Sequence, residues 1–172
     1  MPFTIPSGRK VVIAGNPVIE ELTAEGTGVK PGRLVKKGTA ATQVVVVATA
    51  TDKPSGWVGW DGEGAHPDAS PATKDTAYTA GKKSPIWYGP GTIGWGVLAS
   101  GQNVTKDTPL IPAADGELQA ASNIATAETA STRHVAATPT GSFPPGGMIV
   151  AIAKENKDAS GGAAQIAIES LI

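Results

Sequence analysis

Residues 28–38 read GVKPGRLVKKG, and residues 42–51 continue with TQVVVVATAT. Pro31 fixes φ near the value that the second position of a tight turn requires, and Gly32 tolerates the positive φ of the third. Leu34 and Val35 then begin an apolar run. The stretch predicts a turn that delivers a strand into a sheet. Residues 42–51 carry no charge and are rich in β-branched side chains, so they read as the clearest buried strand of the chain.

The same alternation of turn chemistry and short apolar runs extends in both directions. Upstream, KVVIAG at 10–15 is a strand candidate that ends at the Asn16–Pro17 breaker. VIEELTAEGTG at 18–28 fits either a short helix or a strand, with Glu20, Glu21 and Glu25 facing water in both cases. The first ten residues, MPFTIPSGRK, contain two prolines and a glycine before any periodicity appears. They fit an extended arm that lies on a partner, or an ordinary frayed terminus. Downstream, PSGWVGWDG (54–62) is bounded by turns, and GEGAHPDASPATKDT (62–76) reads as a long projecting loop. Two more strands flank the turn at Gly89–Gly91, and QIAIESLI alternates up to the last residues, which predicts one buried face.

Composition agrees with this reading. The 172 residues include 22 Gly and 14 Pro, which argues against long helices. The fold expected is all-β: a β-barrel or sandwich-like domain with long loops and an extended N-terminal arm. We assign residues 1–22 to the arm and first strand, and 23–172 to a single β-rich domain. Within it NVTKDTPLI (103–111) parallels GVKPGRLVK (28–36), and the closing GGMIVAIAKENKDASGGAAQIAIESLI parallels the first half at greater distance. The offsets are about 75 and then about 91, with an insertion in 121–145. Two loosely repeated halves (28–100 and 101–172) or a chance reuse of turn residues both account for that.

Charged residues make up 17% and the net charge is −1, so no basic face for nucleic acid is expected. Arg33, Lys36, Lys37, Lys82 and Lys83 read as solvated strand ends. There is no cysteine, which removes disulfides, thiolate nucleophiles and Cys-based metal sites. The N-terminus lacks the apolar core of a signal peptide, and no run approaches a membrane span. A soluble chain made in a cytoplasm, with no membrane partner, is expected.

Catalytic apparatus is not legible either. His66 and His134 have no triad setting, and no serine occupies a G-x-S-x-G elbow. Asp61, Glu63, Asp68 and Asp75 do not follow calcium-loop spacing. GPGTIGWG at 89–96 lacks the Lys-Ser/Thr of a phosphate loop. We therefore expect no catalytic residue, no cofactor and no metal. The four tryptophans, Trp57, Trp60, Trp87 and Trp95, are the one ligand signal. Trp57 and Trp60 would face opposite sides of a regular strand unless a bulge at Gly59 realigns them, so core or interface packing competes with a sugar-binding platform.

Taken together, VKPGRLV, DKPSGWVGW, VTKDTPLIPAADGELQAAS and the closing segment resemble the small capsid cement, or decoration, proteins of tailed phages. That family's turn, D-G hairpin, G-x-[AV] strand, A-x-x-G turn and final alternating strand are matched by Val104–Asp107, Asp115–Leu118, Gly147–Ala153, Ala159–Gly162 and Ile166–Ile168. The likeness covers about residues 28–172; Gly32–Arg33 departs from the family's Gly-Asp turn. The resemblance implies a non-enzymatic virion protein on the capsid exterior, bound to the major capsid protein and to itself as a homotrimer. As partner contacts we single out Pro2, Phe3, Thr4, Ile5 and Pro6 of the arm, with Trp57, Trp60 and Trp87. A carbohydrate-binding module that uses the tryptophans on a surface glycan is the alternative.

Overall fold

The computed structural model describes residues 12–60, 76–121 and 148–172. Among these residues thirteen strands form: β1 (Val12–Ala14), β2 (Val18–Ala24), β3 (Leu34–Lys37), β4 (Gln43–Val46), β5 (Gly56–Val58), β6 (Lys83–Tyr88), β7 (Ile93–Leu98), β8 (Asn103–Val104), β9 (Pro109–Pro112), β10 (Leu118–Ala120), β11 (Ala151–Ala153), β12 (Lys157–Asp158) and β13 (Ala164–Ser170). The protein is all-β. The ambiguous stretch after Pro17 is strand β2, paired along its length with β6.

The turn at 30–33 forms as its residues dictate. Arg33 N–H donates to the Lys30 carbonyl at 3.1 Å, and Gly32 adopts φ 79°. The second copy of this turn uses Asp107 at φ 69°, with Thr108 N–H donating to Thr105 at 3.1 Å. Aspartate is among the few non-glycine residues that enter this region readily.

β2, β4, β3, β5 and β6 close into a small barrel in that spatial order. The remaining main strands follow the same plan. β7, β10, β9, β11 and β13 pair in that order, and β13 returns to β7. In each ring the first strand runs parallel to the third (β2 with β4, β7 with β10), and every other pair is antiparallel. The register repeats as well. The rung Ile19–Trp87–Trp57–Leu34 corresponds to Ile93–Glu169–Ile152–Pro109. Gly32 N–H donates to Val58 as Asp107 N–H donates to Ala153, both at 2.8 Å, and Val47 donates to Leu34 as Ala121 donates to Pro109. Such agreement in order, direction and hydrogen bonding is an internal repeat. The first strands of the two rings begin at Val18 and Ile93. The boundary at residue 22 falls inside β2.

The first barrel is filled by Ala24, Val29, Val35, Val44, Val58, Tyr78 and Ile86. Residues next to these in sequence, Leu34, Trp57 and Trp87, join a second cluster with Trp95, Leu98, Leu110, Leu118, Val150, Ile166 and Ile168. The alternation is that of strands whose side chains leave on opposite faces. Both faces of β3, β5 and β6 are thus apolar: one lines the first barrel and the other packs on the second. Trp57 and Trp87 stack with centroids 5.7 Å apart, and the Trp57 indole N–H donates to Ser170 Oγ of β13 at 3.1 Å.

Two expectations are revised. The valine run is a shorter strand than 42–51: β4 ends at Val46, because Asp52 Oδ2 accepts the Ala48 and Thr49 N–H groups and turns the chain. The QIAIESLI strand is covered on both faces, since Ile166, Ala167 and Ile168 are all buried. The Asp52 carboxyl also takes a 2.7 Å bond from Lys36 Nζ, which, ahead of the Ala48 contact, holds it below the usual carboxylate range. A carboxyl depressed in the folded state stabilises above its unfolded pKa, and that contribution disappears as pH falls through the lower folded value. Asp52→Asn should therefore lower the melting temperature at pH 7, and by progressively less as pH falls below the ordinary carboxylate range, the difference at neutral pH amounting to about 1 kcal/mol or less. Thermal melts of both proteins across that range check it.

Candidate adhesive surface

Among the described residues no group of three or more His, Cys, Asp or Glu side chains is placed to hold a metal ion, and none of their helices is long and apolar enough to cross a membrane. His66, His134 and the Asp61, Glu63, Asp68, Asp75 group lie outside the described residues, as do Pro2, Phe3, Thr4, Ile5, Pro6 and most of the 62–76 loop.

The tryptophan contacts need correction. Trp57 and Trp87 are fully buried and Trp95 almost so. Burial between the two barrels leaves Trp57 and Trp87 no face for a partner or a sugar, and core packing is what the structure assigns them. Trp60 is half-buried and packs against the same cluster as Trp57, because the chain leaves β5 after Val58 and no regular strand carries it to the opposite face. Arg33 is likewise no solvated strand end. Its Nη1 donates to Glu117 and to the Asp115 carbonyl, clamping β3 of one barrel to the β9–β10 turn of the other. Lys37, Lys82 and Lys83 are exposed as expected, and Lys36 is held by Asp52.

What faces solvent instead is a rim of aliphatic side chains. Among the described residues, the large apolar side chains left exposed are Ile13, Val18, Ile19, Met148, Ile149 and Leu171, with Val18 at 52% and Met148 at 49%. They are far apart in sequence, yet their segments are tied to one another. The Gly89 N–H donates to the Ile172 carbonyl at 2.8 Å, and Leu171 N–H donates to Val150 at 2.9 Å. A methyl group at Gly89 would stand 3.4 Å from Pro17 Cα, and one at Gly15 would stand 3.1 Å from Thr92 Cα. The β1–β2 turn, the β6–β7 turn, the C-terminus and the approach to β11 therefore share one end of the molecule. Within it the Tyr88 hydroxyl donates to Glu20 at 2.8 Å, which raises the phenol pKa above its ordinary value. Apolar groups framed by a few polar ones suit adhesion to another protein surface. Sequence reading missed this rim, because Ile13, Val18 and Ile19 carry the same strand signal as core residues; only their exposure distinguishes them.

No protein-family model matches this chain, and no curated protein matches it. Among solved structures it is similar to the N base of the head fiber protein gp8.5 of bacteriophage phi29, at 13% identity and a TM-score of 0.48, over 90% of this chain and 94% of that one.

Proposed function

We propose that this chain is a structural virion protein of a phage that decorates the capsid exterior and binds across neighbouring major capsid subunits, as a homotrimer. It works by shape-matched adhesion and carries no catalytic site. The observation that carries this reading is the aliphatic rim at one end of the double barrel, an apolar surface beside the Tyr88–Glu20 hydrogen bond. The resemblance of residues 28–172 to capsid cement proteins supplies the kind of partner. Many copies on one shell need only modest area each, because simultaneous contacts multiply. The Pro2–Pro6 arm is a further contact in this proposal.

Co-sedimentation with expanded and unexpanded shells tests it. The wild-type protein should pellet with expanded shells, and Met148→Asp/Leu171→Asp should weaken that binding at least tenfold while the melting temperature stays within a few degrees. Equal binding by this variant would remove the rim from the contact, and no pelleting with any shell would end the proposal.

A further inference from the structure

Among the described residues, the internal repeat has a strand position that is filled on one barrel and open on the other. In the second barrel β7 has β13 on one side, and on the other β1 pairs antiparallel with its start, Val12 opposite Gly94 and Ala14 opposite Ile93. In the first barrel β2 is the counterpart of β7, and Ile19 stands where Ile93 stands. On its second side β2 meets β4 only at Thr23 and Ala24. From Val18 to Leu22 that edge pairs with no strand among the described residues. Thr23 N–H points toward β4, donating to Thr42 at 2.8 Å, whereas Ala24 N–H points toward β6, donating to Lys82 at 2.9 Å. By strand alternation the backbone groups of Ile19 and Glu21 point out of the open edge.

We infer that this edge of β2 receives an extended strand at Ile19–Glu21, antiparallel as β1 lies on β7, and that the strand is the N-terminal segment, residues 2–11, of a second copy of the chain. Pairing of β2 with its own copy is disfavoured, because a two-fold arrangement would set Glu20 and Glu21 near their own equivalents, and like charges facing each other across strands repel. The segment PFTIPSGRKV has the opposite charge: with Arg9 opposite Glu21 and Lys10 opposite Glu20, an antiparallel strand brings Val11 opposite the exposed Ile19. Ten residues extended reach about 33 Å, enough to cross to a neighbour. One segment on one foreign edge is a head-to-tail contact, which closes a ring when the rotation allows.

Light scattering coupled to gel filtration, with no shell present, separates this idea from capsid binding. The full chain should give a multiple of 17.3 kDa, and deletion of residues 2–11 should give the single-chain mass with an unchanged melting temperature. Glu20→Lys/Glu21→Lys should raise the concentration for half-assembly about tenfold, and adding Arg9→Glu/Lys10→Glu should restore it. Hydrogen exchange at the Ile19 and Glu21 amides should be slow in the full chain and fast in the deletion. A single-chain mass for the full protein overturns the inference, with or without protection of those two amides. So does an unchanged assembly after deletion, or a charge swap without rescue should the deletion fail to fold.

Discussion

Trp57→Ala is expected to destabilise the protein by about 3–5 kcal/mol, the usual range for removing a buried indole. For a chain of this size that lowers the melting temperature by roughly 6–20 °C. The indole is fully buried, stacks on Trp87 and donates to Ser170 across the two barrels, so its loss opens a cavity at their contact. Ser170 Oγ keeps its 2.8 Å bond to the Ile172 carbonyl, so the damage is lost packing more than an orphaned hydroxyl. The repeat provides a control: Ile152 occupies the register of Trp57 in the second barrel but is only half-buried, and Ile152→Ala should cost about 1 kcal/mol or less. A second comparison isolates the hydrogen bond. Trp87 Nε1 is buried without a partner, whereas Trp57 Nε1 has one. Phenylalanine removes similar volume at both places, so Trp57→Phe should be about 1–2 kcal/mol worse than Trp87→Phe. Urea unfolding of the four variants measures all of this; equal costs at positions 57 and 152 would mean that the barrels do not depend on their contact.

Gly116→Ala should be nearly as damaging, at about 3 kcal/mol or more. Asp115 and Gly116 have φ of 55° and 68°, the paired positive values of a type I′ hairpin turn, and Glu117 N–H closes it on Ala114 at 3.1 Å. The turn is also wedged into the other barrel: Gly116 N–H donates to Val47 at 2.8 Å, and a Cβ there would lie 2.5 Å from the Leu34 carbonyl oxygen. Backbone cannot move aside as a flexible side chain can, so the turn itself must lift, taking the Arg33–Glu117 contact with it. Gly101 separates the two causes. Its φ is 83°, and a methyl group there would meet nothing within 4 Å, so Gly101→Ala carries only the conformational cost of about 1 kcal/mol. Thermal and urea unfolding should rank Gly116→Ala well below Gly101→Ala; similar values would mean that the turn does not bear on β3.

Local chemistry was legible in the residues themselves. Pro31–Gly32, Asp107 and Asp115–Gly116 carry their own φ preferences, so the turns, and with them the all-β class, follow from stretches of four to ten residues. The recurrence of the Val–turn–apolar pattern, about 75 residues on, was visible for the same reason. What could not be read was which face of each strand is covered. Leu34, Trp57 and Trp87 alternate with Val35, Val58 and Ile86 between two apolar environments, and a sequence apolar on both faces does not say whether the second face meets a neighbouring barrel, a partner or a sugar. Ile19 and Ile93 occupy equivalent places, yet among the described residues only Ile93 has a further strand, β1, on its second side. Pairing between residues seventy or more positions apart makes that distinction, and such contacts leave no periodic trace along the chain. The amino-acid sequence by itself determined the turns and the strands; the tertiary structure alone decided the closure into two like barrels and the burial of Trp57 and Trp87 between them, because those depend on which strands meet.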